Sequence, residues 1–132
     1  MAIRRRTITS QSIPRAKCPR LRFDDGDVLT EVPAILTWLG ATYGKEGFGR
    51  DTRLGRKEAE ALSYMSSEVH ATYGGHFNTQ KFAETEAAQK EVKQKTYEKL
   101  AIQYQRMNGT LSANGGEWYL GQRSFAETFL YC

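Results

Sequence analysis

The sequence predicts an α+β protein, in which a β-hairpin and one apolar helix lead into a helical remainder. Three observations predict it: an alternation of basic and apolar residues broken by an Asp-Gly turn near position 25, an acid and a proline opening an apolar run near position 31, and helical periodicity over much of residues 52–112. With 132 residues the chain suits one compact unit or two small halves, and 39% apolar with 11% aromatic residues is enough for a core.

Leu21 and Phe23 alternate with Arg20 and Arg22, the pattern of a half-buried strand. Asp24-Asp25-Gly26-Asp27 then supplies turn chemistry before Val28-Leu29 resume it. A short antiparallel hairpin is expected. Thr30-Glu31-Val32-Pro33 reads as a helix start, with Pro33 at the first helical position, where its missing N–H costs nothing. Ala34, Ile35, Leu36, Trp38 and Leu39 make this helix apolar all round, so it is expected to be covered on most of its surface. Taken alone, Glu31 is a carboxylate that complements the positive end of a helix.

Tyr43-Gly44-Lys45-Glu46-Gly47-Phe48-Gly49-Arg50 has the composition of a linker, and Asp51 or Thr52 can cap the helix after it. In that helix Leu62, Met65, Val69 and Tyr73 recur at helical spacing. Gly74-Gly75 reads as a helix break and Gly115-Gly116 as a turn, since neither stands between a strand and a helix as a phosphate loop does. A second long helix is expected from about Ala83 to Ser112, with Tyr97, Leu100, Ala101, Tyr104, Met107 and Leu111 as its apolar stripe. Ser124-Phe125-Ala126-Glu127 has the form of a capping box. The two long helices are expected to pack against each other, against further helices or against a partner chain.

Charge divides the chain unevenly. Seven basic residues precede the first acid at Asp24, so residues 1–22 carry +7 while the remainder, with 12 basic and 15 acidic residues, carries −3. The Arg4-Arg5-Arg6 segment has three readings: a nucleic-acid arm, a transit peptide, or a remnant of a lost gene start, with the last preferred. Neither an 18-residue apolar run nor a signal-peptide core is present, so no membrane span is expected and a cytoplasmic location is. Two cysteines do not suggest a disulfide framework. His70 and His76, six residues apart, fall on different helix faces and do not suggest a metal site. Cys18 is a thiol whose neighbours Lys17 and Arg20 are able to lower its pKa.

The run from Cys18 to Leu39 resembles the second half of the thioredoxin-like domain of bacterial glutathione S-transferases, which typically reads Val-Pro-Ala-Leu, an Asp-Gly turn, then Leu-Thr-Glu-(Ser or Gly)-x-Ala-Ile. Pro14 precedes Pro19 at the family's spacing, although Ile13 and Ala16 replace its Asn and Gly. Ser66-Ser67-Glu68-Val69-His70, with Tyr73 and Phe77, is similar to the Ser-Glu-Leu-His segment of beta-class members. Trp118-Tyr119-Leu120 and Ser124-Phe125-Ala126-Glu127 are similar to elements that open a later helix, although Leu120 to Ser124 is one residue tighter, and Arg123 and Thr128 cannot form the usual apolar staple.

The resemblance implies a partial thioredoxin-like domain at residues 13–43, a linker at 44–50 and part of the all-helical glutathione S-transferase C-terminal domain at 51–132, after a basic, disordered segment at 1–12. It also implies truncation at both ends. Only about a dozen residues precede Pro14, whereas the family's first β-α-β unit, which carries the thiol-activating Tyr, Ser or Cys, needs roughly 30. Glutathione is the implied substrate, with a hydrophobic electrophile as co-substrate and no metal. Glu31 would accept the α-ammonium of the γ-glutamyl group, and the backbone N–H of Val32 would meet its α-carboxylate. Val32 replaces a frequent serine, with the loss of a hydrogen bond worth roughly 0.5–1.5 kcal/mol. Pro19, following a cis bond, would turn the backbone of Cys18 toward the cysteinyl part of the ligand. His70 is the implied catalytic residue, an imidazole facing the thiol; Ala71 stands where members often carry lysine.

The resulting expectation is a glutathione S-transferase-like homodimer, weak or inactive as this polypeptide. A non-catalytic glutathione-binding or interaction module is the alternative, and a nucleic-acid partner is the reading least favoured.

Overall fold

The computed structural model describes residues 19–43 and 52–130. Cys18, its bond to Pro19, the Arg-rich segment and the glycine-rich stretch at 44–50 lie outside the described residues. What is described is mostly helical, with one two-stranded antiparallel sheet.

Strands β1 (Leu21–Arg22) and β2 (Val28–Leu29) pair in the register Leu21 with Leu29 and Arg22 with Val28. Their turn is closed by local bonds. The Phe23 N–H donates to Asp27 O at 2.9 Å and the Gly26 N–H to Phe23 O at 3.0 Å, while Asp25 and Asp27 carboxylates accept from the N–H groups of Asp27 and Val28. Gly26, at φ 92°, supplies the left-handed step that this turn requires.

Helix α1 (Val32–Tyr43) begins one residue earlier than Pro33 suggests, which makes Pro33 its second residue. Contrary to the expectation of cover over most of its surface, only Leu36 and Gly40 are buried in it, whereas Ala34, Thr37, Ala41 and Tyr43 are exposed. The hairpin covers one flank, with the Phe23 ring edge-on to Trp38 at 4.9 Å, and the next helix covers another. A helix apolar all round thus keeps an uncovered face.

Thr52 caps α2 (Arg53–Tyr64), its hydroxyl accepting the Gly55 N–H at 3.0 Å. The helix then passes directly into a π-helical segment, Met65–His70, before breaking at Tyr73. Gly74-Gly75 does not make that break. Both glycines belong to the short helix α3 (Gly74–Phe77), and Gly75 serves a close approach instead: a Cβ there would stand 2.2 Å from the Thr96 hydroxyl.

After a 3₁₀ turn at Thr79–Lys81, helix α4 (Glu86–Ala113) runs back, capped by the Thr85 hydroxyl. Its buried seam is Thr96, Leu100, Gln103 and Met107: Leu100 and Met107 of the expected stripe are buried, and Thr96 and Gln103 take the places expected of Tyr97 and Tyr104. Tyr97 and Tyr104 are 49% and 44% exposed and Ala101 is exposed, because helix packing chose the face one position away from the aromatic residues. Arg106 closes the same contact from outside, its guanidinium 4.1 Å from the centre of the Tyr64 ring.

Helix α5 (Phe125–Leu130) completes the bundle. Glu127 reaches back to the Ser124 N–H and hydroxyl, each at 2.8 Å, so the capping box is present; its second oxygen accepts the Tyr119 N–H at 2.8 Å. One carboxylate thereby closes the short 119–124 loop without an apolar staple. The core gathers Ala61, Met65, Val69, Met107, Tyr119 and Ala126, with Phe129 and Leu130 against it.

Substituting Gly75→Ala should lower stability by about 1–3 kcal/mol through overpacking against Thr96, and adding Thr96→Ala should recover most of the loss. Urea unfolding of the single and double variants measures both.

Candidate functional site

Two places gather the residues marked out by the sequence. The first is the junction of hairpin and helix. Glu31 has φ 69° and is the one non-glycine residue with a positive φ among the described residues. Left-handed backbone costs an L-residue on the order of 1–2 kcal/mol and persists where neighbouring structure imposes it. Here β2 ends two residues before Glu31, and its carbonyl already accepts the Ile35 N–H at 3.0 Å as the first bond of α1.

The outcome is an exposed carboxylate beside the first turn of a helix. The N–H groups of that turn, Val32 and Ala34, have no intrahelical acceptor, and Pro33 has no N–H. Extending the Leu21–Leu29 register by two residues brings exposed Pro19 level with Glu31, although the ladder itself stops at Leu21. Pro19, Glu31 and Val32 therefore share one end of the hairpin; Cys18 is outside the described residues.

The second place is a cleft of about 570 Å³ between the π-helical segment, α3, α4 and α5. His70 lines it together with Tyr73, Phe77, Asn78, Tyr104 and Phe129, over a floor that includes Met65, Val69 and Met107. Gln103, buried on α4, donates to the Glu68 carbonyl at 3.2 Å and to the Thr72 hydroxyl at 3.1 Å, and so holds the helix on either side of His70. The Thr72 hydroxyl donates to that same carbonyl at 2.6 Å.

At the cleft the hydroxyls of Tyr73 and Tyr104 share a hydrogen bond, which raises the Tyr73 pKa above 10.0, with burial adding to the effect. Nearby, the Tyr97 hydroxyl and His76 Nδ1 are 2.8 Å apart. His70 lines this cleft and Glu31 does not, nor does Glu31 line either of two smaller clefts among the described residues. Among the described residues no group of three or more His, Cys, Asp or Glu is arranged to hold a metal ion, and no helix is long and apolar enough to cross a membrane.

Sequence reasoning missed two residues on which these places depend. Glu58, 2% exposed, accepts the Phe125 N–H at 2.8 Å from inside the bundle, and Gln103 anchors the segment around His70. The available signal was phase: Glu58 recurs with Leu62, Met65 and Val69, and Gln103 with Leu100 and Met107, each a polar residue on an apolar stripe.

Comparison with known proteins adds no relative: the chain matches no protein-family model, no curated protein and no solved structure.

Glu31→Gly should leave stability unchanged or raise it by up to about 1 kcal/mol, whereas β-branched Glu31→Val should lower it by about 1–2 kcal/mol; thermal or urea unfolding tests the pair. In alkaline spectrophotometric titration Tyr73 should ionise later than a free tyrosine, and Tyr104→Phe should bring it back. Because the folded state favours the neutral phenol, the stability contributed by this bond is present below pH 10.0 and is lost as pH rises through the raised pKa.

Proposed function

We propose that this chain is a glutathione S-transferase-like protein that binds glutathione at the hairpin–helix junction. The observation that carries the reading is the left-handed backbone at Glu31. Strain of this kind gathers where a side chain must be presented to a ligand, and it falls on the residue to which the sequence resemblance assigns the γ-glutamyl ammonium. The carboxylate of Glu31 has neither hydrogen bond nor ion pair among the described residues. It is available to an ammonium group, while the Val32 N–H offers a donor to the neighbouring carboxylate.

Catalysis would then be attack of the glutathione sulfur on an apolar electrophile held against the helical part, near His70, a new C–S bond replacing the bond to a leaving group such as chloride while the thiol proton passes to solvent. An imidazole there hydrogen-bonds or polarises the sulfur, and confinement of the two reactants supplies proximity. A specific observation favours the second reading, a binding module with little catalytic power: among the described residues the cleft that His70 lines does not include Glu31. Conjugation by this chain is accordingly proposed to be slow even where binding is measurable.

Titration calorimetry with millimolar glutathione tests the binding claim. Saturable heat is expected, weakened roughly tenfold or more in Glu31→Gln, the scale of one hydrogen bond to a charged group. An absence of heat in the unaltered chain would remove the proposed ligand. Conjugation of glutathione to a chlorinated nitrobenzene, followed separately, distinguishes the transferase from the binding module.

A further inference from the structure

The cleft beside His70 has a chemistry of its own. None of its lining residues is Asp, Glu, Lys or Arg, so an ammonium group entering it would meet no carboxylate on its walls. Its walls are ringed: Tyr73 and Phe77 stack at 6.1 Å with 25° between planes, and His70 and Phe129 meet edge-on at 6.2 Å. Met65 and Met107 contribute polarisable, adaptable side chains to the floor. Such walls favour a flat aromatic guest.

The polar side chains of the cleft are His70, Asn78 and a pair of phenols, and the phenols are bonded to each other. Each carries one O–H, and their mutual bond uses only one of the two hydrogens. Whichever tyrosine donates to the other, a second O–H is left over, and no other partner is found for either hydroxyl among the described residues. A phenol that is already an acceptor is a better donor, since chained hydrogen bonds polarise one another. The pair, whose mutual bond is exposed, therefore has one O–H to offer an oxygen acceptor at its edge of the cleft.

We infer that this cleft is a binding site for an uncharged, flat aromatic ketone whose carbonyl oxygen accepts a hydrogen bond from the Tyr73–Tyr104 pair. The ketone lies between the rings over the methionine floor, and an amine of the same shape finds no carboxylate there. This takes up the apolar half of the reading above and rests on it only for what the guest later reacts with; its own test contains no glutathione, so the two stand or fall separately.

Prodan, an uncharged naphthyl ketone, is a suitable probe, and the same dimethylaminonaphthalene without its ketone is the control. The full chain should bind prodan saturably, with the amide resonances of Val69, Phe77, Tyr104 and Phe129 moving, and the bound carbonyl stretch should fall below its value in a hydrocarbon solvent. The double variant Tyr73→Phe/Tyr104→Phe should weaken prodan about three- to tenfold, the loss expected for one neutral hydrogen bond, while the control changes less than twofold. Equal weakening of both compounds, or no weakening of either, overturns the inference. So does a carbonyl stretch in the unaltered chain at its hydrocarbon value, or resonance shifts confined to a separate groove that Trp38 of α1 and Leu62 of α2 line, and these two readings need no variant.

Discussion

A carboxylate buried on α2 holds the bundle together at its weakest point. Helix α5 is only six residues long and has little intrinsic stability. Glu58, out of water, accepts the N–H of its first residue, and Ala126, fully buried, lies in the core with Ala61 and Met65 behind it. Burying a charge costs several kcal/mol unless hydrogen bonds offset it, and N–H groups at a helix start are suited to that task. Glu127 closes the loop leading into α5 from the other side, so two carboxylates fix one short helix. Phe129 and Leu130 follow from that docking, and with them one wall of the His70 cleft.

The contact between the π-helical segment and α4 is polar as much as apolar. Thr96 and Gln103 are buried along with Leu100 and Met107, and Gln103 spends its amide N–H groups on the backbone and hydroxyl of the opposite helix. Its carbonyl oxygen, also buried, has no partner among the described residues. Apolar faces alone tolerate sliding, whereas a buried amide matched to one carbonyl admits a single register. That register fixes where His70 stands and lets Gly75 approach Thr96 so closely.

Some features were legible because they are local. The Asp-Gly turn, the Thr52 cap and the Ser124–Glu127 box each depend on residues within four positions of one another, and each formed as the spacing requires. The helical phase of Leu62, Met65 and Val69 was equally legible, since three large apolar residues on one stripe have one favourable place to go. The stripe on α4 was legible at Leu100 and Met107 but not at Tyr97 and Tyr104: hydropathy does not distinguish a tyrosine ring in the core from one at the rim, and a buried Thr or Gln gives no apolar signal. Gly74-Gly75 looked like punctuation because a glycine's reason lies across the interface, in Thr96, and not in its own segment.

What the sequence by itself determined is the order of elements, their caps and the identity of the residue at the hairpin–helix junction, all of which follow from backbone preference and short-range hydrogen bonding. The tertiary structure alone decided that Glu31 takes left-handed backbone, that Glu58 and Gln103 are buried, and that two tyrosines 31 residues apart share one hydrogen bond beside His70. Those outcomes depend on which helix faces meet, and a face is chosen by the summed packing of every element against its neighbours rather than by any residue's own neighbours in the chain.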